Sequence, residues 1–237
     1  MTPDPRAIFF DMDGTILDWQ TGMEERWRAA CERGCAGSPA LDANTLLAAV
    51  HAKRDWFWSD PLRAAEGRMD LDAASRAIVA EALTSLGAAS PGLAASIAGD
   101  YRASRLEVLA PYPGAIETLV AVRARGIATA LITNGGAEAQ RQSVERFGLA
   151  PYFDCVIIEG EFGCGKPDER VFRHALASCG VAPRETWMIG DSLEMDIATP
   201  LRLGMHTVWV DAAGAGLPDG ADVRPHRVVR SIAEVFS

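Results

Sequence analysis

Two textures alternate along this chain. Short apolar runs bounded by turn-forming residues stand at Ala7–Asp11, Ala128–Thr133, Cys155–Glu159, Thr186–Gly190 and His206–Asp211, with a weaker run around Val228. Such runs read as buried strands. Between the later ones lie segments with helical spacing at Ala115–Arg125, Ala137–Phe147, Glu169–Cys179 and Leu193–Leu203. Gly126, Gly148, Gly180 and Gly204 fall where helix stops are expected. Strand and helix in strict alternation predict an α/β domain built on a parallel sheet.

Residues 18–110 interrupt that alternation. Their pattern predicts four helices, about Met23–Cys35, Ala43–Trp58, Leu71–Leu86 and Leu93–Val108, and no strand. Asp42, Asp70 and Ser90 stand as N-terminal caps, with Pro91 at a first helical position. The expected organisation is a core of residues 1–17 and 111–237, with a helical domain, 18–110, inserted after the first strand like a lid. Pro111, Pro113 and Gly114 return the chain to the sheet.

With 237 residues the chain suffices for a core and a smaller companion. Its formal charge of −9 argues against a nucleic-acid partner, yet admits a small anion where a lysine, arginine or metal inverts the local field. No apolar run is long enough for a membrane helix. The opening Met1-Thr2-Pro3-Asp4-Pro5-Arg6 leads directly into the first strand, with no room for a signal peptide. Five scattered cysteines, Cys31, Cys35, Cys155, Cys164 and Cys179, fit reduced thiols in a cytoplasmic protein. A monomer and a homodimer are equally compatible.

The chemistry gathers at predicted strand ends. Asp11-Met12-Asp13-Gly14-Thr15 follows the first strand and sets two carboxylates at i and i+2 on the rim of a sheet, before a glycine that permits a sharp turn. Carboxylates so close repel each other. A hard divalent cation relieves that repulsion, and oxygen ligands of this kind suit magnesium. One aspartate is then free to attack an electrophile while the other handles a proton. Three other strand ends lead to Thr133-Asn134-Gly135, Gly165-Lys166-Pro167 and Gly190-Asp191-Ser192. Thr133 offers a hydroxyl, and the amides of Asn134 and Gly135 lead into a helix N-terminus, a phosphate seat. Lys166 offers a positive charge, and Asp191 a further carboxylate for a metal. Asp196, five residues on, reaches back as an outer acid of the metal site or orients Lys166. Each fragment alone is an ordinary turn or cap; the ordered set at the ends of one open sheet is what points to a ligand site.

This set resembles the haloacid dehalogenase-like hydrolase superfamily, over the whole chain. The D-x-D-G-T motif, the Thr, the Lys-Pro and the G-D-x-x-x-x-D segment stand in that family's order, and the insertion after the first motif looks like the branch with an α-helical cap. The resemblance implies a Rossmann-like core, bound magnesium and phosphoryl transfer through an aspartyl-phosphate. Asp11 would be the nucleophile; Asp13 would protonate the leaving oxygen and later activate water. Asp11, the backbone carbonyl of Asp13 and Asp191 would hold the metal; Thr133, Asn134 and Lys166 would bind the phosphoryl oxygens. Relatives that break carbon–halogen bonds carry Tyr where this chain has Asp13, which favours a phosphatase, because an alkoxide leaving group needs a proton and a halide does not. The substrate implied is a small phosphomonoester such as phosphoglycolate, a sugar phosphate or a nucleoside monophosphate, with a slight lean toward nucleotidases and acylneuraminate-9-phosphatases. A phosphomutase is the alternative, and a haloacid dehalogenase a more distant one. Pro200 departs from the family pattern and is expected to kink the last predicted helix.

Substrate selection is expected to lie in the inserted helices. Lys53, Arg54, Trp56, Trp58 and Arg63 cluster there. The preferred reading buries the aromatics in the small domain's core and leaves the cations solvated; the bolder one has them grip the substrate's distal end. Trp19 and Gln20 lie next to the first motif and near the expected hinge.

Overall fold

A computed structural model describes residues 4–36 and 41–236. The residues Met1-Thr2-Pro3 of the N-terminal reading lie outside that range. The chain divides into two compact units, Met1–Asp18 with Ala110–Ser237, and Trp19–Leu109.

The first unit is an α/β core. Its strands are β1 (Ala7–Phe10), the short β2 (Leu17–Asp18) and β3 (Ala110–Pro111), then β4 (Ala128–Thr133), β5 (Cys155–Ile158), β6 (Thr186–Gly190), β7 (His206–Val210) and β8 (Arg227–Val229). Six of them form one parallel sheet in the order β5-β4-β1-β6-β7-β8. This is the Rossmann-like architecture, and β1 is central because its four residues, Ala7-Ile8-Phe9-Phe10, are wholly buried and need no polar face. Ala7 and Phe9 pack with Ile132, Ile157 and Met188 against Val171, Phe172 and Leu176 of a flanking helix. The strand order turns back on either side of β1, the place where open α/β sheets bind ligands.

Asp11, Glu159 and Asp211 were expected as the last residues of their strands; each strand in fact stops one residue earlier. The acids thus open the loops at the sheet's carboxyl edge. β2 and β3, unmarked by any hydrophobic pattern at two residues each, pair antiparallel where the chain leaves and re-enters this unit.

The second unit holds five helices among the described residues: α1 (Met23–Cys35), α2 (Ala43–Ser59), α3 (Pro61–Met69), α4 (Leu71–Ser85) and α5 (Pro91–Val108). Asp42, Asp70 and Ser90 cap α2, α4 and α5 by accepting from Thr45, Ala73 and Leu93 N–H. α3 is additional to the predicted four. Asp60 caps it and Pro61 opens it, so the Asp-Pro pair ends one helix and starts the next. Trp27 and Tyr101 stack with ring centroids 3.6 Å apart inside a core shared with Leu46, Val50, Ile78 and Ile97.

Trp56 and Trp58 depart from the expected packing. Only Phe57 of that aromatic trio is buried, while Trp56 and Trp58 are exposed. The inward face of α2 runs Leu46, Val50, Phe57, and residues on either side of Phe57 are rotated away from it. The Arg63 guanidinium lies 4.0 Å from the Trp56 ring centroid, and Lys53 and Arg63 reach Glu81 and Asp60.

The core's remaining helices are α6 (Ala115–Ala124), α7 (Ala137–Arg146), the short α8 (Glu159–Phe162), α9 (Glu169–Cys179) and α10 (Thr199–Leu203). The single helix expected over Leu193–Leu203 is instead a π-helical segment, Leu193–Ala198, running into α10. Pro200 has no N–H to offer the carbonyl of Asp196, so the turn ahead of it widens rather than continuing as α-helix. Among the described residues no helix is long and apolar enough to cross a membrane.

Candidate active site

The loops after β1, β4 and β6, with the segment leading into α9, bring the motif residues to the sheet's carboxyl edge. Asp11 leaves β1 buried, and Lys166 is buried beside it. The Lys166 ammonium donates to Asp11 Oδ1 at 2.5 Å and lies 2.6 Å from Asp196 Oδ1. Asp196 also accepts the Ser192 N–H on Oδ2 at 2.9 Å. Both oxygens of Asp196 are therefore engaged, and its contact is with Lys166. Asp11 Oδ2, by contrast, is buried with no hydrogen-bond partner.

Gly14 sits at φ +89, and a Cβ there would fall 2.1 Å from Asp191 Oδ2. Any other residue would displace the carboxylate that now lies against the loop. Carboxylate oxygens of Asp11, Asp191 and Asp196 lie within 4.8 Å of one another. One ammonium does not balance these acids. Burial, opposed by Lys166 and reinforced by Asp196, pushes Asp11 up to about 7. Burial, then repulsion from Asp11 and Asp196, pushes Asp191 up to about 8. Burial alone would lower Lys166, but Asp11 and Asp196 outweigh it and hold the ammonium above its ordinary value. An unpartnered carboxylate oxygen amid excess negative charge fits a hard divalent cation.

The expected phosphate-binding residues have specific partners. The Asn134 side chain accepts the Lys166 N–H and donates to the Lys166 carbonyl, both at 2.7 Å. It splints the lysine's backbone, so only the Asn134 main chain is left to face an anion. The Gly135 N–H was expected to help form a phosphate seat; it donates instead to Glu159 Oε2 at 3.0 Å. β4 and β5 are neighbours, and the acid ending the β5 run reaches across to it. The Thr133 hydroxyl is buried and donates toward Gln140 Oε1 at 3.4 Å.

Two residues here were not anticipated. Glu159 was legible in principle, as an acid at the end of an apolar run. Gln140 was not: it belongs to a polar helix with only itself and Val144 buried, and glutamine is commonplace on such helices. Its Nε2 donates to Asp13 Oδ2 and to the Asn134 carbonyl, each at 3.0 Å.

With this geometry in place, a family model described as haloacid dehalogenase-like hydrolase matches residues 5–204. The chain belongs to that family. It is 44% identical over 126 residues to phosphoserine phosphatase of Thermus thermophilus, a stretch covering 53% of this chain and 49% of that protein. It is 35% identical over 130 residues to pyrimidine 5'-nucleotidase YjjG of Escherichia coli, covering 54% of this chain and 56% of the other. The chain thus spans about half the length of these curated relatives. The solved structure of the HAD-hydrolase YfnB from Bacillus subtilis superposes with a TM-score of 0.74 at 22% identity, covering 99% of this chain and 98% of that one, a likeness of fold.

Proposed function

We propose that this protein is a magnesium-dependent phosphatase that hydrolyses a small phosphomonoester through an aspartyl-phosphate on Asp11. The observation that carries this reading is the arrangement of Asp11 at the β1 edge: Oδ1 held by Lys166, Oδ2 unpartnered, and Asp13 two residues on. Asp11 attacks phosphorus, the bond to the leaving oxygen breaks, and Asp13 gives that oxygen its proton. Asp13 then takes a proton from water, which attacks the same phosphorus. The bond to Asp11 breaks and inorganic phosphate departs.

Lys166 neutralises charge on the transferring group, together with the Asn134 main chain, while the Thr133 hydroxyl stays on Gln140 Oε1. Asp11, Asp191 and the backbone carbonyl of Asp13 would hold the magnesium, which when bound adds positive charge where the phosphoryl oxygens gather. Asp196 and Asn134 keep Lys166 in place, through its ammonium and its backbone respectively.

The relatives named for phosphoserine and for pyrimidine nucleotides support phosphomonoester chemistry with differing leaving groups. That pattern fits a division of labour: the first unit carries the reaction and the helical unit selects the leaving group. Five free cysteines are in keeping with a cytoplasmic location. The test is phosphate release from a panel of phosphoserine, glyceraldehyde 3-phosphate, phosphoglycolate, sugar phosphates and nucleoside 5'-monophosphates, with magnesium and then with EDTA. Metal-dependent release from at least one ester is expected. Halide release from 2-haloacids without metal, and no phosphate release, would overturn the reading.

A further inference from the structure

We propose that Gln140 is a positioning residue that fixes Asp13 and reserves one of its two oxygens for proton transfer. The inference rests on the phosphatase reading above. Gln140 is the fourth residue of α7 and is buried, at 5% exposure. Its neighbour on the inward face is Val144, one turn on, so an apolar residue would suit the position better. A buried carboxamide is costly unless its donors and acceptor are used, and here all are used. Nε2 faces the Asn134 carbonyl, which can only accept, and this settles the orientation of the amide. The second Nε2 hydrogen then points at Asp13 Oδ2, while Oε1 receives the Thr133 hydroxyl.

A donor fixed on Oδ2 keeps that oxygen as an acceptor. The mobile proton is thereby assigned to Asp13 Oδ1, which gives it to the leaving oxygen and recovers one from water. Gln140 never touches the reacting atoms; it acts through Asp13. Gly135 makes the approach possible, since a Cβ there would lie 2.6 Å from Gln140 Nε2, on backbone at φ +135. The amide also ties Asp13 to the end of β4 and the Asn134 backbone, so acid and phosphoryl-binding groups are set in one frame.

Leaving-group dependence separates positioning from a structural role. Departure of an alkoxide needs the proton from Asp13, whereas p-nitrophenolate departs with little help. Only steps up to the first irreversible one enter kcat/KM, so it reads leaving-group departure rather than hydrolysis of the aspartyl-phosphate. Two variants are compared with wild type: Gln140→Met, which keeps volume and loses the amide, and Gln140→Leu, which loses it with a second apolar shape. Each preparation is assayed with the best alkyl phosphomonoester of the panel and with p-nitrophenyl phosphate. Taking the ratio within one preparation cancels any inactive fraction.

In both variants, kcat/KM for the alkyl ester should fall about 10-fold or more while that for p-nitrophenyl phosphate changes less than about 3-fold, as loss of part of a general-acid contribution requires. Equal falls for both esters, or no change in either, would overturn the positioning role and leave the phosphatase reading standing. A wild-type protein inert toward every ester would overturn both.

Discussion

Lys166 shows how much one side chain carries in this site. It is the cation between Asp11 and Asp196, and all three are buried. Removing one member of such a cluster leaves charge uncompensated away from water. Lys166→Met should therefore cost about 3–5 kcal/mol of stability, measured by denaturant unfolding. In the same variant kcat should fall on the order of 100-fold or more while KM changes much less, because the ammonium acts most strongly on charge developing in transit. An unchanged kcat would remove Lys166 from the chemistry. At this scale the sequence named the residues but not their bonds. Asp11, Asp13 and Asp191 stand out in the sequence as acids just past strand ends, and Lys166, beyond the short α8 that follows β5, only through its Gly-Lys-Pro motif. That the Asn134 side chain splints a backbone, and that Gln140 reaches Asp13, depends on distances across 32 and 127 residues of chain, which no local pattern encodes.

Among the elements, the β1–β2 loop has no room for a side chain at Gly14. Gly14→Ala places a methyl group where Asp191 Oδ2 now lies, on backbone at φ +89. The expected outcome is a magnesium half-saturation concentration at least about 10-fold higher, read by titrating activity with metal; an unchanged value would show that Asp191 is not among the ligands. In the helical unit, α1 is tied to α5 through the Trp27–Tyr101 stack. Trp27→Ala should cost about 3–5 kcal/mol, the usual penalty for emptying a large buried aromatic site, as measured by thermal or denaturant unfolding. Long elements were readable because apolar periodicity and caps agree: α9 begins and ends where its pattern does, between Asp168 and Gly180. The two-residue strands β2 and β3 were not, since pairing rather than composition defines them. Nor was the π-helical segment, where Pro200 signalled a disturbance without its form.

Across the molecule, the buried acids of the site form a group that could hold a cation at the carboxyl edge of the sheet. A second electrostatic feature lies at β7. Burial, then the neighbouring His226 and Arg227, pulls His206 down to about 4. The rings of Trp187 and His226 flank it, with centroids 4.9 and 4.4 Å away. The unfolded chain therefore takes up this proton before the folded one does. The stabilising contribution is complete above the unfolded value of about 6.5 and is lost as pH falls toward about 4. Denaturant midpoints should drop between pH 7 and pH 5, and less so in His206→Phe; an identical drop in both would place the sensitivity elsewhere. The α/β plan was legible from alternating textures, and the exposure of Trp56 and Trp58 was not, because helical periodicity marks a face without saying which aromatics leave it. The proposed reaction stands or falls on phosphorus passing through Asp11. The direct measurement is a single turnover quenched in acid, followed by peptide mass spectrometry of wild type and Asp11→Asn. A phosphoryl group on the Asp11 peptide of wild type, absent from a folded but inactive Asp11→Asn, is predicted; phosphate release with Asp11 never modified, or undiminished in Asp11→Asn, would contradict it.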